Sequence, residues 1–138
     1  VRLKMSKEES DWYSFRDALF EENFQSAEAM LQGNHKLLVD CNGIGEAVLH
    51  FLAVENCRKA IEWLVTKGAN INVKNKFGTP LIFEVAQLGY KDLYLWLSKN
   101  GSDKKQLDGC GQTICDYLRD NDKMEMARWV ALEVQKSA

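Results

Sequence analysis

The 138-residue sequence predicts an all-α domain built from repeated helix–turn–helix pairs, and three observations predict it. The chain matches itself when displaced by 33 residues, apolar side chains fall at helical spacing within each period, and small or turn-forming residues close each helical segment. The self-match runs in columns. Gly45, Gly78 and Gly111 form one, Gly68 and Gly101 a second, and Trp63, Trp96 and Trp129 a third, with Met30 one period earlier. Leu31, Leu64, Leu97 and Val130 form a fourth. Asn23, Asn56, Gly89 and Asp122 form a fifth, each read as a tight turn between two helices.

In chain order this gives one domain over 1–138, with copies at about 8–41, 42–74, 75–107 and 108–138. The first copy shows only a second helix, FQSAEAMLQG. The second opens on AVLHFLAV at 47–54 and continues with Ala60, Ile61, Trp63 and Leu64 on one helical face. The third opens on PLIFEVAQL at 80–88 and continues with Leu93, Tyr94, Trp96 and Leu97. The fourth opens on TICDYLRD at 113–120 and continues with Met126, Ala127, Trp129 and Val130. Gly68 and Gly101 stand where a helix C-terminus needs a left-handed residue. Pro80, the one proline, is expected in the first turn of its helix, where its missing N–H costs nothing. An extended loop joins each copy to the next.

These residues resemble the ankyrin repeat. The middle copies carry Gly45 with Leu49-His50, the run Leu64 to Asn72, and Gly-Thr-Pro-Leu at 78–81; the last keeps Asp108, Gly111 and Thr113. The resemblance implies a solenoid of stacked helix–turn–helix pairs joined by β-hairpin-like loops. One pair cannot bury its apolar face alone, so neighbours cover each other. The tryptophan column is expected in the core between copies, with His50 hydrogen-bonding a neighbouring loop. Three departures stand out. Gly-Thr-Pro-Leu is one residue short between Gly and Thr, which would shift the register of the third copy's first helix. Ala47-Val48 replaces Thr-Pro. The last copy lacks a closing Gly-Ala, so its second helix is expected to run on towards Val134.

Composition excludes several alternatives. The net charge of −2 gives no strong overall pull on nucleic acid or anionic lipid. The charge is banded: residues 1–57 carry five basic and ten acidic side chains, and residues 58–105 carry nine and four. The basic band, Arg58, Lys59, Lys67, Lys99, Lys104 and Lys105, falls mostly on second helices and their ends and lacks interleaved aromatic residues, so nucleic acid is not an expected partner. No apolar run approaches the roughly 18 residues of a membrane span, and VRLKMSKEES has no signal-type apolar core. Met5 opens a plausible start, and Val1 to Lys4 are given no structural role. Cys41, Cys57, Cys110 and Cys115 include no CxxC pair, so zinc and thioredoxin chemistry are not expected; four thiols without a secretory signal read as reduced and cytoplasmic. Asp120-Asn121-Asp122 with Glu125 lacks the glycine and length of a calcium loop. Nothing in the spacing places Cys41 or Cys110 beside His50 with an orienting group, and His35 reads as a solvated loop residue. No catalysis, cofactor or metal is expected.

The family's contact positions, carried onto this chain, select Gly43, Ile44, Glu46, Val54, Glu55 and Lys74 in the second copy. They select Lys76, Phe77, Thr79, Gln87, Leu88 and Leu107 in the third, and Gly109, Cys110, Gln112, Asp120 and Asn121 in the fourth. Phe77, on a loop tip between lysines, is the expected anchor. Trp12 and Tyr13 read as a cap on the core. The implied function is a protein–protein interaction module, a monomer or part of a heterocomplex, that docks a protein on its concave face. The alternative is a stand-alone inhibitor, similar to bacterial immunity-type ankyrin proteins that neutralise a toxin by occluding its active site.

Overall fold

The computed structural model describes residues 5–136, so Val1 to Lys4 lie outside the described residues. It contains eight α-helices in four antiparallel pairs and no strand among those residues. The pairs are α1 (Lys7–Phe20) with α2 (Phe24–Gly33), α3 (Val48–Val54) with α4 (Arg58–Thr66), α5 (Leu81–Gln87) with α6 (Lys91–Lys99), and α7 (Ile114–Asp120) with α8 (Met124–Lys136). A 3₁₀ turn, His35–Leu38, follows α2. The chain forms two compact units, one ending at Asn70 and the other beginning at Ile71. In the first, α1 packs on α3; in the second, α5 packs on α7 and α8.

The 33-residue spacing is visible in the backbone. The first helices of the last three pairs begin at 48, 81 and 114, each seven residues long, so the short Gly-Thr-Pro-Leu produces no register shift. Gly45, Gly78 and Gly111 have φ of 77°, 81° and 78°, the left-handed region that favours glycine. Between the helices of a pair, Asn56, Gly89 and Asp122 take the same hand. In the first pair the turn falls on Glu22 and not on Asn23 as expected; Asn23 instead caps α2, its side chain accepting from the Ser26 N–H at 3.2 Å. Pro80 lies one residue before α5, in extended backbone at ψ 149°, rather than in the first helical turn. Gly68 and Gly101 follow α4 and α6 with φ of 104° and 106°. Helix α8 continues to Lys136.

Burial follows the same period. Leu31, Leu64, Leu97 and Val130 are all buried, and so are Leu19, Leu52, Val85 and Leu118 on the first helices. The tryptophan column departs from expectation. Trp63, Trp96 and Trp129 are half-buried, and the largest fully buried rings are Trp12, Tyr94, Phe15 and Phe83. Within the first unit Trp63 stacks on Phe24 at 5.8 Å and tilts against Phe15, with the Lys67 ammonium 5.3 Å from its centroid. Within the second, Trp129 meets Tyr94 edge-on at 5.3 Å, beneath Lys91. Trp63 and Trp129 thus each lie between two helix pairs of their own unit, with part of the ring at the surface near a lysine.

The first pair is the least legible in sequence. Its α1 has 14 residues, twice the length of the other first helices. Ser6 caps its start, its side chain accepting from the Glu9 N–H at 3.1 Å. Trp12 is buried and its Nε1 donates to the Asp40 carbonyl at 3.2 Å, which makes it the cap on the core. Tyr13 is only half-buried and turns outward against Arg16.

Candidate functional site

The candidate contact residues occupy three similar loops and the helix ends beside them. Each loop is closed by one side chain acting as a local template. In the first unit the Asn42 Oδ1 accepts from the N–H groups of Ile44 and Glu46, at 3.1 and 3.0 Å. In the second the Asn75 Oδ1 accepts from Phe77 and Thr79, at 2.9 and 3.0 Å. There too the Asp108 Oδ1 accepts from Cys110 and Gln112, both at 2.9 Å. A short acceptor that satisfies two backbone donors in a turn fixes the tip without a strand. Single antiparallel bridges, Cys41 to Ala47 and Lys74 to Pro80, close the bases of the first two loops, so the hairpin-like character amounts to one rung each.

The templates leave their tip side chains in solvent. Phe77 is 73% exposed and Ile44 is 64% exposed. Lys74 and Lys76 are exposed on either side of Asn75, and the Lys76 ammonium sits 5.1 Å from the Phe77 ring centroid. Leu88 and Leu107 are exposed in the same unit, as is Cys110. Gln87 and Gln112 are half-buried: Gln87 accepts from the Tyr117 hydroxyl, and Gln112 donates to Asp120. In the first unit Val54 and Glu55 are exposed at the end of α3, while Glu46 is half-buried against Asn42, whose Nδ2 donates to it at 3.0 Å. The residues selected from the second copy are therefore divided, since Lys74 falls in the second unit and the rest in the first.

The Phe77 tip is held from below. A Cβ added at Gly109 would lie 2.5 Å from the Phe77 carbonyl oxygen, and one at Gly78 would lie 2.8 Å from the Gly109 Cα. Backbone meets backbone here, and no side chain can move aside. We expect Gly78→Ala to cost about 2–4 kcal/mol, combining a left-handed φ with the clash. Gly111→Ala, at a similar φ but with open space around the added carbon, is expected to cost only about 1–2 kcal/mol. Urea unfolding of the two variants checks this, and equal losses would show that the contact between the tips is unimportant.

His50 is buried, and its Nδ1 accepts from the Ala47 N–H at 3.2 Å, supplying the helix-start acceptor that Ala47 cannot. Burial pushes its pKa below the usual histidine value, which keeps the ring neutral. Its Nε2 has no hydrogen-bond partner among the described residues. Burial likewise raises the thiols of Cys57 and Cys115, away from the thiolate form a nucleophile needs. Among the described residues no three His, Cys, Asp or Glu side chains converge as a metal site, and no helix is long and apolar enough to cross a membrane.

One group was missed in the sequence. Arg16 on α1 lies between the rings of Tyr13, at 4.8 Å, and Phe51, at 4.6 Å. Phe51 in turn meets Phe20 edge-on at 5.8 Å. Phe20 is 48% exposed and Val54 is 43% exposed. The available signal was the spacing of Tyr13, Arg16 and Phe20 along one face of a helix that the sequence reading did not delineate. Neither protein-family models nor curated proteins give a match to this chain.

Proposed function

We propose that the chain is a short ankyrin-repeat solenoid that binds another protein through its loop tips and first helices, by reversible docking and without catalysis. One observation carries this reading. Equivalent turns, 33 residues apart, use buried or half-buried Asn side chains to hold Ile44 and Phe77 outward in solvent. Large apolar side chains on pre-formed turns cost little backbone ordering on contact, and a large aromatic side chain is a frequent anchor of a binding interface. The 33-residue match, the positive-φ glycines and the four helix pairs support the family assignment.

The test is capture of a partner from the source cell on the immobilised chain, eluted with excess free chain and identified by mass spectrometry. A discrete protein, competed by free chain, is expected. Capture of nucleic acid or lipid alone, or nothing above an unrelated helical control, would overturn the reading.

A further inference from the structure

Exposed Phe20 and the half-buried rings of Tyr13 and Phe51 form a second surface on α1 and α3. From Tyr13 through Arg16 and Phe51 to Phe20 the ring and guanidinium groups are in continuous contact, at 4.8, 4.6 and 5.8 Å. Val54 stands exposed at the end of α3 in the same unit. A continuous run of aromatic surface that remains partly in solvent on a folded unit marks a contact face.

Its charge is net acidic: of the nearby cations, Arg58 is paired with Glu62 at 3.0 Å, and Lys59 is exposed on α4. The Arg16 guanidinium is already satisfied by Asp17, through Nε at 3.0 Å and Nη2 at 2.7 Å to the same Oδ1. Beyond it the helix ends carry Glu21 and Glu22 after α1 and Glu55 after α3, all exposed and none in an ion pair among the described residues. Glu21 and Glu22 directly follow Phe20, and Glu55 lies one helical turn beyond Phe51, whose ring Phe20 meets at 5.8 Å. The C-terminal end of α1 adds its own partial negative charge there. A partner cation reaching this end would meet unpaired carboxylates, whereas a partner carboxylate would be repelled.

We propose that this face docks a polypeptide segment carrying lysine or arginine beside a large apolar side chain. The apolar group covers Phe20, Phe51 and Val54, and the cation reaches Glu21, Glu22 and Glu55. This rests on the protein-binding reading above but names a surface and a partner chemistry that the reading does not.

Two amidated peptides with the same leucine positions test it, one with lysine and one with glutamate at every polar position. Titrated into the full chain under amide-detected NMR, the lysine peptide should perturb Tyr13, Phe20 and Phe51. Its affinity should fall at least tenfold with Phe20→Ser, a half-exposed position, and at least tenfold with the pair Glu21→Lys and Glu55→Lys. It should also fall with added salt, while Phe77→Ala leaves it unchanged. Equal or tighter binding of the glutamate peptide would overturn the proposal. So would lysine-peptide binding that survives these variants, or perturbations that depend only on protein concentration, the mark of a second copy on the same face. If captured partners still depend on Phe77 after such a result, this inference falls and the protein-binding function stands.

Discussion

Phe77→Ala is expected to weaken partner binding by about 2 kcal/mol or more, roughly thirtyfold, with the melting temperature almost unchanged. The reason lies in where the ring is. At 73% exposure it contributes little to the core, so removing it leaves no cavity. Its backbone is fixed independently of the ring, by the N–H bond to Asn75 at 2.9 Å and by the Gly78–Gly109 contact. The truncated loop therefore keeps its shape and loses only the contact surface. Titration calorimetry against the captured partner, paired with thermal melting, measures both quantities. A variant that melts much lower, or binds as tightly as the parent, would show that Phe77 is not the anchor.

Phe83→Ala should produce the largest loss of stability, about 3–5 kcal/mol. Phe83 on α5 has no exposed surface and rests against the Tyr117 ring at 5.4 Å. The cavity left by removing the ring would sit between elements that already touch, with little room for collapse. Trp96→Ala should cost less, despite the larger side chain, because that indole is half-exposed. Urea midpoints of the two variants, compared at equal m-value, rank them directly. The reverse order would mean that the indole column, and not the buried phenyl ring, dominates the packing.

These rankings show where the sequence was informative. The aliphatic column Leu31, Leu64, Leu97 and Val130 was legible because compact branched side chains at helical spacing can be covered completely in a helical stack. Tryptophan was read as core from its size and apolarity; Trp12 on the 14-residue α1 is indeed enclosed, whereas Trp63, Trp96 and Trp129 on the second helices keep part of each ring at the surface. The turn at Glu22 was invisible because glutamate carries no turn signature, and the neighbouring Asn23 drew attention to itself for a different task, capping α2. Exposure of Ile44, Phe77, Leu88 and Leu107 followed from their place in loops and at helix ends. The Tyr13–Arg16–Phe51–Phe20 face did not, since it depends on α1 lying beside α3, a long-range packing that no local pattern specifies.

Site-specific photo-crosslinking tests the central claim most directly, that loop tips and first helices present the binding surface. A benzophenone amino acid is placed in turn at Phe77, on the loop tip, and at exposed Lys99, on the last turn of α6. The account predicts a discrete covalent adduct with another protein from position 77 and none from position 99. Adducts from position 99 alone, or equally from both, would contradict it.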